Sequence, residues 1–180
     1  MKIGLGSFKG YLGVVLLMIL LAAACETTSD KRSGAKSKRK EASTLRLHLE
    51  VNPDGTDRSG PVPVFREQPV MVNIYKEFFL NEGDVQEAAV VEAMGGYALM
   101  VQFDKHGTLV LDTVTSSYRG SRVAIFSQFG SARWLAAPRI MRRISDGVLT
   151  FTPDASREET ERIARGLNNV AKELKRKSKI

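Results

Sequence analysis

The sequence predicts an α+β domain: a twisted, mainly antiparallel sheet with two to three helices packed on one face, preceded by a signal peptide and a disordered linker. Three observations carry this. Apolar residues alternate strictly in "TLRLHLEV" and "GYALMVQF", the period of half-buried strands. A serine followed three residues later by glutamate, Ser156 and Glu159, opens a run with Ile163, Leu167, Val170 and Leu174 at helical spacing. Strand-like runs are interrupted by helix-like ones rather than alternating regularly with them, which argues against a parallel α/β sheet.

In "TLRLHLEV", Leu45, Leu47, Leu49 and Val51 share one face and Arg46, His48 and Glu50 the other, so His48 is expected at the surface. "NPDGTDRSGP" reads as a turn-rich stretch. "VMVNIYKE" is a strand with Val70, Val72 and Ile74 opposite Met71 and Asn73. "NEGDVQEAAVVEAM" places acids early and Val85, Ala88, Ala89 and Val91 after them, the pattern of a short helix. "GYALMVQFD" is a strand with Tyr97, Leu99, Val101 and Phe103 on one side. "KHGTLVLDTVTSSYRG" is ambiguous. Its Thr and Val content favours a strand, whereas Asp104 as a cap and the pair Val110 and Val114 would suit a helix. "RVAIFS" and "ARWLAA" bracket a hairpin around Gln128-Phe129-Gly130, and "GVLTF" is a short strand. Basic residues gather at the end of the last helix, where the helix dipole favours them.

The N-terminal region has a different character. Lys2 and Lys9 precede an apolar run from Leu12 to Leu21, then three alanines and Cys25. That is the order of a secretory signal peptide over residues 1–24; a transmembrane anchor from Tyr11 to Ala24 is the alternative, short against the roughly 20 apolar residues a span needs. Leu21-Ala-Ala-Ala-Cys25 resembles a bacterial lipobox, which implies that Cys25 is acylated and becomes the first residue; an ordinary signal peptide with an incidental cysteine is the other reading. As the only cysteine, Cys25 has no intramolecular disulfide partner. The expected location is the cell envelope, lipid-anchored and facing the periplasm or exterior. Glu26, where inner-membrane retention signals place aspartate, tips the expectation towards the outer membrane.

Residues 25–43 form the lipidated cysteine and a flexible basic linker, residues 44–171 the folded domain, and residues 172–180 a basic C-terminal tail. The formal charge of +7 resides in those flanks: residues 26–43 carry six Lys/Arg against three Asp/Glu, residues 172–180 five against one, and residues 44–171 fourteen against sixteen. A slightly acidic domain does not suggest a nucleic-acid partner. Basic flanks either lie against anionic headgroups or are solvated.

No catalytic, cofactor-binding or metal-ligating set emerges. His48 and His106 lie in different elements without ligand spacing, nothing near Asp104 and Asp112 suggests a raised pKa or a bound ion, and Glu158, Glu159 and Glu161 crowd a helix start where acids serve as caps. The chain is therefore expected to be non-enzymatic and to need no cofactor. A hydrolase would require coupled carboxylates in a pocket.

From Leu80 to Leu167 the chain resembles the head subdomain of the first periplasmic (P1) domain of the protein-export subunit SecD. The likeness rests on "N-x-x-D-V-x-x-A" at a helix start (Asn81, Asp84, Val85, Ala88), a strand ending in Phe103-Asp104, and "R-G-S-R-V-A-I" (Arg119 to Ile125) before a hairpin. "A-P-R-I" (Ala137 to Ile140), "I-x-x-G" (Ile144, Gly147) and a terminal "S-x-E-E" helix complete it. The resemblance implies that Lys105 to Ser117 is a helix capped by Asp104. It further implies contact with an exported polypeptide, the translocon or another envelope protein. SecD proteins also carry six transmembrane helices that house a proton pathway; nothing after residue 24 is apolar enough to span a bilayer, so no proton-driven motor is expected of these residues. The hairpin "FSQFGSARW" is longer than is usual in that family; Phe126 and Trp134 are expected in the core and Phe129, beside Gly130, as the candidate partner contact. The expected function is a membrane-anchored interaction module accessory to protein export or polypeptide binding. The alternative is a structural envelope lipoprotein joining the membrane to the wall or a larger assembly.

Overall fold

A computed structural model describes residues 41–178; the signal segment and Cys25 lie outside the described residues. One sheet has the order β4-β1-β7-β8, from β1 (Arg46–Leu49), β4 (Leu80–Asn81), β7 (Val123–Gln128) and β8 (Ala132–Ala136). A second has the order β5-β6-β9, from β5 (Val85–Ala93), β6 (Gly96–Phe103) and β9 (Val148–Phe151). A hairpin of β2 (Ser59–Val64) and β3 (Val70–Tyr75) stands apart, and every strand pairing is antiparallel. The helices are α1 (Lys105–Ser117) and α2 (Arg157–Lys177). The α+β class expected from the sequence holds.

Side-chain alternation builds two cores. Leu47, Leu49, Val123 and Ile125 project from one face of the β1-containing sheet and meet Leu99, Val101 and Phe103 of β6, Leu111 of α1, and Ile163 and Leu167 of α2. Each such buried side chain stabilises by roughly 1.5–3 kcal/mol. On the opposite face, Val64, Val72 and Ile74 of the hairpin cover Ala124, with Val62, Trp134 and Ala137 packed around them. The sheet is thus covered on both sides.

α2 starts with the anticipated capping box: Ser156 Oγ accepts from the Glu159 amide at 3.2 Å and the Glu159 carboxylate accepts from the Ser156 amide at 2.9 Å. α1 is a helix, as the family resemblance implied and against the strand-leaning pattern. Asp104 caps it by accepting from Gly107 N at 2.8 Å.

The expected helix over 81–94 is corrected. Asn81 and Asp84 do form a capping box, but the turn they open is a single 3-10 turn, Glu82–Asp84, after which the chain extends into β5. The start signal was real. Pairing with β6 along its length, Val85 to Ala93, outweighed the weak helical preference that followed.

β2 lies within and beyond the stretch read as turns. Lys76 N donates to Arg58 O at 2.9 Å, and the register runs one-for-one from Ser59↔Tyr75 to Val64↔Val70. Gly60, Val62 and Val64 therefore occupy hydrogen-bonded positions, and Pro61 and Pro63 stand where an N–H would point off the edge. Prolines there blunt an open edge against adding another strand.

Two domain limits also move. Glu41 to Ser43, assigned to the linker, are docked: Ser43 is 3% exposed beneath α2. Lys172 to Lys177, set apart as a tail by composition, are the last turns of α2.

Candidate interaction groove

Phe129, the contact nominated from the sequence, is 5% exposed and belongs to the larger core. Gly130 adopts φ +111 at the hairpin tip, and the Arg133 guanidinium lies 4.9 Å from the Phe129 ring centroid, covering it. Arg133 is itself held by Glu159 at 2.5 Å, and this pairing joins the Ser156 amide in keeping the Glu159 carboxyl below its usual range. Phe126 and Trp134, expected in the core, are half-buried on the other face of the sheet.

His48 is the larger surprise. It is 7% exposed, because the hairpin covers the polar side of β1. Its Nδ1 lies 2.9 Å from Tyr75 O, so the imidazole supplies the partner for a carbonyl at the end of β3 that faces away from β2. Burial pushes its pKa below the usual 6.5, with the backbone hydrogen bond opposing and the Arg46 charge adding to the fall. The ring continues an edge-to-face series: Phe126 to Trp134 at 5.3 Å, Trp134 to His48 at 5.2 Å, and His48 to Phe78 at 6.2 Å. Arg46 lies over Phe78 at 5.2 Å.

Phe78 brings this series to the surface. There, a groove of about 740 Å³ runs between the end of β3, the segment 76–79 and the C-terminal end of α1. Leu49, Phe79 and Val114 line it, with Tyr75, Phe78 and Tyr118 at 42%, 37% and 46% exposure. Arg58, Lys76 and Glu77 place both signs of charge in its lining. A concave surface with accessible aromatic rings and mixed charge suits an extended apolar-polar chain better than a single ion. The sequence reading missed it, since its walls come from separate segments of the chain, around Leu49 and Arg58, from Tyr75 to Phe79, and at Val114 and Tyr118.

His106 Nδ1 lies 2.9 Å from Asp84 Oδ1, and with Asp104 these are the described residues nearest to a metal-ligand set, their donor atoms all within 4.8 Å. Both carboxylates already act as caps: Asp84 accepts from Asn81 N and Asp104 from Gly107 N. Asp112 is gripped by both Arg143 Nε and Nη2, which lowers its pKa. Among the described residues, no helix is long and apolar enough to cross a membrane.

No family model and no curated protein matches the chain. Solved structures do. One, described as "a membrane component SecDF that enhances protein export", aligns with TM-score 0.55 and 17% identity over 81% of this chain and 70% of that one. A second, SecDF in a super-membrane-facing form, aligns with TM-score 0.54 and 17% identity over 79% of this chain but only 21% of its own length. At this identity the likeness is one of fold, and this chain spans about a fifth of the second structure. The described domain has a SecDF P1 head-like fold.

Proposed function

We propose that the protein is a membrane-tethered, non-catalytic module of the cell envelope that takes an extended polypeptide into the groove between β3 and α1, in a role accessory to protein export. The observation that carries this reading is the groove itself: three accessible aromatic rings, Tyr75, Phe78 and Tyr118, converge on it in a fold shared with a component described as enhancing protein export. Aromatic side chains anchor bound chains at small entropic cost, and the mixed charge of the lining tolerates varied sequences. The tether is Cys25, acylated at the end of the signal segment. Two acyl chains hold a protein on a bilayer firmly, where one does so marginally.

The test is fluorescence anisotropy of a labelled, permanently unfolded polypeptide with the purified full chain. The double variant Tyr75→Ser/Tyr118→Ser is expected to weaken binding at least about tenfold, as loss of two interface aromatics does. Its thermal midpoint should fall only slightly, because both side chains lie at the surface, 42% and 46% exposed. Unchanged affinity in that variant refutes the groove as the binding site. Mass spectrometry of membrane-extracted protein tests the tether, which requires an acylated Cys25 at the amino terminus.

A further inference from the structure

Each of the two main sheets ends on an open edge, and the two edges face one groove. Beyond β8 the chain stays paired with β7: Val123 N donates to Pro138 O at 2.9 Å and Ile140 N to Ser121 O at 2.8 Å. Arg139 sits between those bonds, so its own N–H and C=O point away from β7. β9 has the same arrangement. Phe103 N donates to Gly147 O at 2.9 Å, and pairing continues through Val101↔Leu149 and Leu99↔Phe151. That phase leaves the N–H and C=O of Thr150 pointing away from β6. The two edges touch where Asp154 N donates to Leu135 O at 2.7 Å. Among the described residues, no backbone hydrogen bond joins Arg139 to Thr150.

A groove of about 280 Å³ occupies the opening, lined by Arg139, Ile140, Leu149 and Thr150 with Leu111 and Val123. The pleat sorts both walls alike. Ile140 and Leu149 are buried in the larger core, whereas Arg139 and Thr150 are exposed. The rim is positive. Arg139 and Arg142 both line the groove, and among the described residues neither joins an ion pair. The one acid in the lining, Asp146, accepts from Val148 N at 3.1 Å and so closes the start of the β9 edge.

We infer that this groove is a strand-addition site. An extended segment of a partner protein, alternating apolar and acidic side chains, pairs with the main chain of Thr150 while its acids meet Arg139 and Arg142. The free main-chain groups of Thr150 and Arg139 require a partner with a backbone, which a lone anion or a headgroup does not supply. The pleat of the walls sets apolar side chains inward and polar ones outward. Two arginines without carboxylates then select acids for the outward positions. The site shares no lining residue with the groove between β3 and α1, and the inference stands apart from that reading.

The probe is a short labelled peptide of alternating valine and glutamate, read by fluorescence anisotropy with the purified full chain. It should bind at least about tenfold more tightly than its valine–lysine counterpart, and Arg139→Gln/Arg142→Gln should erase that difference. Thr150→Pro removes the outward N–H without breaking a bond to β6, just as Pro61 and Pro63 spare β3. It should weaken the peptide at least about tenfold. The fully N-methylated peptide keeps every charge but offers no N–H, and should lose as much affinity for the unaltered chain; this arm holds even where Thr150→Pro fails to fold. Equal binding of the two charge forms, or undiminished binding of the N-methylated form, overturns the inference. Tyr75→Ser/Tyr118→Ser should retain the peptide; a loss there as large as in Thr150→Pro moves the peptide to the aromatic groove and overturns it as well. Self-association that Thr150→Pro abolishes, with no capture of the peptide, assigns the edge to a second copy and likewise overturns it.

Discussion

Gly166 is buried in the middle of α2, where helix propensity alone favours alanine by about 1 kcal/mol. A methyl group there would meet Ser43 Oγ at 2.1 Å, Ser43 N at 2.7 Å and Ser43 Cβ at 2.8 Å. The hydroxyl could rotate away, but the backbone nitrogen could not, because Glu41 and Thr44 on either side are hydrogen-bonded to α2 and β7. Overpacking against fixed backbone costs about 1–3 kcal/mol and outweighs the propensity gain. Gly166→Ala should therefore lower the urea midpoint at unchanged slope; a midpoint at or above the wild-type value would show that Ser43 is free to move. The same scale explains two misread side chains. Alternation along β1 correctly set His48 opposite Leu47 and Leu49, but which face meets solvent depends on a hairpin that the local pattern cannot announce. The place of Phe129 at a hairpin tip suggests an accessible ring, but the side chain that covers it, Arg133, is a residue ordinarily expected in water.

At the scale of elements, β5 shows what local sequence leaves out. It is an edge strand, and its Ala88 backbone faces away from β6 towards α2. There the Asn168 side chain does what a further strand would do: its Oδ1 accepts from Ala88 N at 2.9 Å and its Nδ2 donates to Ala88 O at 2.7 Å. One amide thus closes an edge and fixes the helix along the strand. Asn168→Ala leaves a partly buried donor and acceptor without partners and is expected to cost about 2–3 kcal/mol. Asn168→Asp keeps the accepting oxygen but sets a carboxylate against the Ala88 carbonyl, so it should be no better. Equilibrium unfolding measures both, with loss of hydrogen-exchange protection at the Ala88 amide as the local signature. Elements with a self-contained signal were legible: the Ser156 capping box for α2, strict alternation for β1 and β6, the two arms of the β7–β8 hairpin. Elements defined by a distant partner were not. β5 depends on β6 and Asn168, β2 is hidden by the prolines that protect its edge, and the groove joins β3 to α1 without a contiguous motif.

For the whole molecule, the two cores differ greatly in extent. The larger ties both main sheets to both helices, whereas the smaller holds one hairpin to one sheet face through Val64, Val72, Ile74 and a few neighbours. Cooperative units with less buried apolar surface open at lower free energy, so β2–β3 should lift away without global unfolding. That opening uncovers His48. While the hairpin is docked, burial keeps the imidazole pKa below 6.5; once it lifts, the pKa returns towards that value. The open state therefore binds more protons as the pH falls below 6.5, and acidification favours opening. The docked state keeps its full advantage above that pH and loses it towards the lower pKa of the buried ring. Native-state hydrogen exchange should show Val72 and Ile74 amides exchanging through a smaller opening free energy than Leu99 and Val101. The Val72 and Ile74 opening free energy should itself fall between pH 7.5 and 6 after correction for intrinsic rates. His48→Gln, which cannot titrate, should remove the pH-dependent part and leave the gap itself. Because Tyr75 stands at the end of β3, the same opening withdraws one wall of the groove, so polypeptide affinity should decline over the same pH interval in the wild type and not in the variant. Uniform exchange across both cores, or an acid-induced fall in the hairpin opening free energy that persists in His48→Gln, would separate hairpin docking from the histidine beneath it.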